Sequence, residues 1–408
     1  MIYAAVTLAV GFILPRLEYR YLAEINHGMT VAAAMSVFSS VSSGMLALTG
    51  IIFSLAFVMV QFSSVAYSPR LVLWFSRDPV ISHGMGIFTA TFIFSLSALA
   101  WTDRYGSGKV PFVSTWVVIL LVIASVLILS LMVQRLAVLQ VSGVIAFVGI
   151  RGRRAVEEMY PVAVIADADK KGLENSPPLN LPVTQSLLHV GGPMVIDEYD
   201  LPALVQLAVA AQGVITLPYA VGDSVFEGDI LATVNGGDRP IPLNMLRQAV
   251  QLDRQRSFEQ DPKYALRLLV DIAIRALSPA VNDPTTAVQA LDEIEDLLRR
   301  LATRQLEVGR MADSAGTLRL IFPTPIWEDF LSLAFDEIRF YGATSLQVMR
   351  RLHTALRDLI GVVPPERRNA VRHYIEHLDM NVKSSILDSE DQMSALRQDR
   401  QGLGLTRK

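Results

Sequence analysis

From Gly28 to Pro69 the chain carries no Asp, Glu, Lys or Arg. The run reads GMTVAAAMSVFSSVSSGMLALTGIIFSLAFVMVQFSSVAYSP, and nothing in its middle breaks a helix. As one helix it would extend roughly 60 Å at about 1.5 Å per residue, against a bilayer hydrocarbon core of about 30 Å. Such a segment crosses a membrane and continues beyond it, or tilts or kinks inside it. Its surface is not uniformly apolar. Ser36, Ser40, Ser43, Ala47, Gly50, Ser54, Phe57, Gln61, Ser64 and Ser68 alternate by four and three. That spacing lines them up as the seam of a left-handed helix pair or bundle. Ile51, Ile52, Leu55, Val58 and Met59 cover other faces. A small, hydroxyl-rich stripe on a helix otherwise suited to lipid needs a partner: a helix, another subunit, or water.

The rest of the chain sorts itself around this run. Residues 1–134 carry six basic and four acidic side chains, leaving 30 basic and 35 acidic for the remainder, so an apolar third precedes a mildly acidic region. The acidity argues against nucleic acid as a partner, because phosphate binding needs a basic face. The chain has no cysteine, which excludes disulfides, Cys-ligated zinc, iron–sulfur clusters and a thiol nucleophile.

Four apolar segments are expected to meet the membrane. Residues 1–14 form a short run ended by Pro15, Arg16 and Glu18, read as a short or truncated first span, with an interfacial helix as the alternative. The second span lies inside 31–66, the third is 80–101, and the fourth is about 112–134. Trp74, Trp101 and Trp116 fall near predicted ends, as interface aromatics do. Arg70, Arg77, Arg135, Arg151, Arg153 and Arg154 fall on one side, and Arg16, Arg20, Arg104 and Lys109 on the other. The positive-inside rule then puts everything after Arg135 in the cytoplasm. Residues 136–166 keep apolar residues at helical spacing and read as a juxtamembrane helix, bent at Gly143 or Gly149 or continuous with the fourth span.

Beyond a Pro-rich loop, 167–239 reads as a small α+β module, with strands expected near 183–189, 193–197, 214–217 and 225–234 and a helix over 201–212. Its segment AVGDSVFEGDILATVNGG resembles the V-x-x-G-D-x-L turn of biotinyl/lipoyl-like β modules. Lys170 and Lys171 lie in a loop and not on a hairpin, so a structural turn with Gly222 and Gly228 at positive φ is the expectation. Residues 240–388 read as helical. Asp261-Pro262, Asp283-Pro284 and Thr324-Pro325 each look like an N-cap with Pro at the first helical position. The tail, 389–408, reads as polar and mobile.

Few residues carry recognisable chemistry. His373, Glu376 and His377 have the H-x-x-E-H form of inverted zinc proteases, but only 31 residues follow for a third ligand, and Arg367, Arg368, Arg372 and Lys383 mark a solvated helix face. No metal site is therefore expected. In LLVDIAIRALSPAVNDPTTA, Asp271 and Arg275 can pair one turn apart, and Asn282 and Asp283 start the next helix. This polar corner reads as a capped helix–turn–helix. His83, near the end of the third span, reads as an interfacial histidine. There is no Ser/His/Asp grouping, Walker A loop or G-x-G-x-x-G, so no catalytic set or cofactor is expected. Ionisable residues within the spans are absent, which argues against a pump built on buried carboxylates.

The pieces QFSSVAYSPRL (61–71), DPKYALRLLVDIAIRALSPAVNDPTTAVQALDEI (261–294) and LAFDEIRFYGA (333–343) resemble a family of bacterial predicted membrane proteins, that of domain of unknown function 2254. The resemblance implies an integral inner-membrane protein with a cytoplasmic C-terminal region, and supplies no substrate or catalytic residue. The expected architecture is a membrane α-helical domain of about four spans plus a cytoplasmic α+β region ending in a helical bundle. The expected function is a homo-oligomeric ion channel in the cell inner membrane, with the lipid bilayer, other copies of the chain and ions as partners. Ser36, Ser40, Ser43, Thr49, Gly50, Ser54, Gln61 and Ser64 would line its pore, with Arg70 and Arg77 setting the field at the mouth. The alternative is a non-conducting scaffold or sensor that binds a ligand or protein through its cytoplasmic domain, its stripe serving helix packing alone.

Overall fold

The computed structural model describes residues 2–21, 29–66, 79–106, 108–138, 141–161 and 181–405. The chain divides into two compact units, Met1–Val141 and Ser142–Lys408.

The first unit is helical. α1 spans Ile2–Tyr21, α2 Val31–Ala66, α3 Pro79–Trp101 and α4 Phe112–Val138. Three stretches among the described residues are long and apolar enough to cross a membrane: Val31–Ser54, Pro79–Gly106 and Phe112–Gln134. The first apolar run does not stop where expected. Its helix passes through Pro15 and ends at Tyr21. Leu14 joins the packing around Phe94 and Ala98, and tertiary contacts override the local breaker.

The hub of the unit is α3, not the long α2. It touches α1, α2 and α4, and small residues let it do so. A Cβ on Gly84 would meet Met132 Sδ at 2.5 Å, one on Gly86 would meet the Tyr3 ring at 2.5 Å, and one on Gly11 would meet Ser97 Oγ at 2.7 Å. Glycines at such crossings let helix backbones approach. Tyr3 lies by Gly86 and Gly11 by Ser97, so α1 runs parallel to α3. α2 runs antiparallel, with Ala34 and Phe38 beside Phe94 and Ala98, and Ile52 beside Phe88. α4 is antiparallel as well, its Met132 at Gly84 and its Ser125 at Thr91.

The second unit begins with α5 (Val141–Met159). Its amphipathic pattern is a packing face, with Val144, Ile145, Val148, Ala155 and Val156 buried. There follow β1 (Val183–Leu188), β2 (Met194–Tyr199), α6 (Leu201–Ala211), β3 (Gly213–Thr216), β4 (Ser224–Val225) and β5 (Ile230–Gly236), much as the sequence predicts. Asp200 caps α6 through the Ala203 N–H. Gly222 and Gly228 take φ of +92° and +89°, and the carboxylates of Asp223 and Asp229 accept the backbone N–H groups of Ala220 and Phe226. The V-x-x-G-D segment is thus a pair of self-bonded turns.

The module does not close at residue 239. After α7 (Leu243–Ala249), β6 (Val250–Asp253) pairs with β2. Then come α8 (Pro262–Ala276), α9 (Pro284–Ala302), β7 (Arg310–Ala312) and β8 (Leu318–Ile321), and β8 lies parallel to β3. The two sheets have orders β1-β5-β3-β8-β7 and β4-β2-β6. Strands from the segment expected to be wholly helical therefore complete both sheets. The core between them and α6 includes Ile196, Leu204, Ile215, Leu231 and Leu320.

The helical part continues with α10 (Trp327–Tyr341), α11 (Leu346–Val362), α12 (Arg368–Ser385) and α13 (Ser389–Ala395). Asp261 and Asp283 cap α8 and α9 through the N–H groups of Tyr264 and Thr286. Thr324 is not a cap. α10 starts at Trp327, with the Asp329 carboxylate accepting the Ile326 N–H at 2.9 Å. α5 packs on α8 and α9, where a Cβ on Gly152 would meet Ala265 and Leu297 at 2.8 and 2.9 Å. Nor is the tail loose through residue 405. Arg350 donates to the carbonyls of Ser394 and Gly402, Asp399 N–H to Thr354 Oγ1, and Arg400 pairs with Asp358.

Candidate functional site

The stripe on α2 lies opposite the face that packs. Ala34, Phe38, Ser42 and Ile52 are buried toward α3, whereas Ser36, Ser40, Ser43, Gly50 and Ser54 are exposed. Thr49 is half-buried and spends its hydroxyl on the Met45 carbonyl at 2.7 Å. A Cβ on Gly44 or Gly50 would have no neighbour within 4 Å. Phe57 is exposed too and breaks the polar character of the edge, while Leu46, Ile51 and Phe53 stand exposed on its flanks. The side chains of Gln61 and Ser64, and residues Ser68, Arg70, Trp74 and Arg77, lie outside the described residues.

Polar groups, all but His83 passed over in the sequence reading, join the helices of this unit. Glu18 is buried on α1, and its carboxylate accepts the Ser114 hydroxyl of α4 at 2.9 Å. The run of residues 1–14 hid it, because a carboxylate between two arginines past a proline reads as interfacial. Thr91 and Ser125 share a hydrogen bond of 3.0 Å across α3 and α4. His83 Nδ1 lies 2.7 Å from the Tyr3 hydroxyl.

In the second unit the polar corner is a capped turn. Asp283 accepts from both the N–H and hydroxyl of Thr286, at 3.1 and 2.6 Å. Asn282 sits at φ +48°, a left-handed conformation that Asn tolerates. Asp271 pairs with Arg267 at 2.6 Å, and Arg267 reaches on to Glu337. Arg275 and Asp271 both make further interactions, so neither is idle. Each residue type here is accounted for by caps and pairing.

Two buried charge clusters escaped the sequence. Asp261, 1% exposed, receives Arg256 through Nε and Nη2 at 2.9 and 2.6 Å. Burial pushes its carboxyl above the usual range against the pull of Arg256. Arg351, 4% exposed on α11, bonds Asp292 at 2.7 Å and Glu295 at 2.6 Å on α9. Burial opposes its charge, and Glu295 and Asp292 outweigh that, holding it above its ordinary value. Glu295 also pairs with Arg299, which reaches Asp358. Next to Arg351's helix turn, burial and then the Arg357 charge push His353 below the usual imidazole 6.5, with Asp379 opposing.

His373 and His377 line a hollow of about 580 Å³ with Asp336, Glu337, Arg339, Phe340, Tyr341 and Tyr374. Their ring centroids are 4.2 Å apart. Burial pushes the Tyr374 phenol up to about 12, so it stays a neutral donor to Asp336. Among the described residues no group of three His, Asp or Glu side chains is placed to hold a metal ion.

The described geometry is that of an apolar helical unit followed by an α+β unit with helices. The family profile described as a predicted membrane protein, domain of unknown function 2254, matches residues 1–358. The chain belongs to that family. It is 30% identical over 382 residues to an uncharacterized protein of Mycobacterium bovis, covering 90% of this chain and 71% of the relative. An uncharacterized protein of Mycobacterium tuberculosis matches to the same extent. No solved structure matches the chain. In this member of the family of domain of unknown function 2254, the α2 stripe, the polar corner and the Arg351 cluster fall within the matched residues. The H-x-x-E-H run and the docked tail lie beyond them.

Proposed function

We propose that the chain forms a homo-oligomeric ion channel in the cell inner membrane, with α2 of each copy lining the pore and the second unit, in the cytoplasm, assembling and gating it. The observation that carries this reading is the exposed stripe. Ser36, Ser40, Ser43, Gly50 and Ser54 sit on the α2 face opposite the one α3 covers, on a helix whose span is otherwise fit for lipid. Copies that turn these edges toward one axis would shield them from hydrocarbon and give a narrow path lined by hydroxyls without fixed charge. α1 adds a fourth traverse in this reading, since it runs beside and parallel to α3. The distribution of arginines supports the cytoplasmic placement.

The test is current through planar bilayers holding the purified chain. Ser54→Leu is expected to lower unit conductance. Silence across voltage, pH and ions would overturn the reading. A second reading, a non-conducting sensor, draws on the hollow around Tyr374 and would be favoured by ligand uptake there without current.

A further inference from the structure

We propose that His373 and His377 bind a divalent cation of the Zn²⁺ class. The two residues stand one turn apart on α12, their ring centroids 4.2 Å apart, and both line one open hollow. Histidines at i and i+4 present two imidazole nitrogens to one point, as the zinc-binding helices of metalloproteases do. Imidazole selects Zn²⁺, Ni²⁺ and Cu²⁺ over Mg²⁺ and Ca²⁺, which prefer oxygen shells.

Among the described residues the chain offers such a cation little elsewhere. It has no cysteine and only six histidines. His189 and His353 are buried, at 2% and 5% exposure, and His83 bonds Tyr3. His373 is exposed and His377 half-buried, so water can complete the shell. The carboxylates in the hollow are engaged: Asp336 accepts from Ser332 at 2.7 Å, and Glu337 pairs with Arg267. They contribute negative charge facing the pair, and Arg339 opposes them. Nothing in the arrangement supplies the third protein ligand or the downstream residue of a protease, so the site holds an ion without implying hydrolysis. It stands independently of the pore reading.

The experiment is calorimetric titration of the full-length, chelator-treated protein in detergent with Zn²⁺. We expect one ion per chain, unmoved by excess Mg²⁺ or Ca²⁺. The ion should be lost in His373→Ala with His377→Ala, and weakened at least tenfold in the conservative His377→Gln. His27→Gln and His353→Gln should retain it. Circular dichroism checks that the variants keep their fold. No uptake by the wild type, equal uptake by the double variant, or loss in His27→Gln would each overturn the proposal.

Discussion

Arg351 puts a guanidinium where its charge has almost no water, and Asp292 and Glu295 answer it from α9. Removing one partner of a buried pair leaves an uncompensated charge, at a cost of roughly 3–5 kcal/mol. Arg351→Met should fall near the lower end, about 3 kcal/mol, because Arg299 still holds Glu295. Adding Glu295→Leu should recover part of the loss, and denaturant unfolding of the single and double variants measures it. On the same helix, His353 makes a pH prediction. Its folded value lies below the usual 6.5, so the unfolded chain takes up its proton first as pH falls. Its contribution is therefore intact above about 6.5 and is lost progressively below it. Melting temperatures taken from pH 8 to pH 5 should drop in the wild type and drop less in His353→Gln.

At the level of elements, the crossings around α3 decide the first unit. A side chain on Gly11 would enter Ser97 near its Cβ, where little can yield. Gly11→Leu should lower the melting temperature of the detergent-solubilised chain by several degrees, the order expected for an overpacked contact costing about 1–3 kcal/mol. Gly84→Ala should cost less, since the flexible end of Met132 can move aside. These crossings also show where sequence reading stops. Asp261-Pro262 and Asp283-Pro284 were legible as helix starts because the cap and its bond lie within three residues. The stripe on α2 was legible because its period is local. That α3 is the hub was not, because Tyr3 with Gly86 and Gly11 with Ser97 are pairings across more than eighty residues. β7 and β8 were hidden for the same reason. Both strands are short; β8 finds its partner in β3, about a hundred residues earlier, and β7 has a place in the sheet only once β8 is there to pair with it.

For the whole molecule, the open question is what covers the outer edge of α2, and two glycines separate the possible answers. Gly44 and Gly50 have nothing near their missing Cβ, so Leu at either position meets no atom of its own copy. Within one chain the change is even favourable, because Gly in a helix interior is about 1 kcal/mol worse than a good helix former. Gly50→Leu should therefore leave the thermal unfolding of a single copy unchanged or slightly raised. If copies meet along this edge, the same side chain falls in the seam. The complex should then dissociate, or its subunit count change, in native mass measurements. Gly44→Leu, six residues away and about 120° round the helix, flanks the stripe and should act more weakly. Gly11→Leu works the other way round, weakening the copy before the complex. An assembly that tolerates Leu at both 44 and 50 would mean that lipid alone covers the edge, and the pore reading would fall with it.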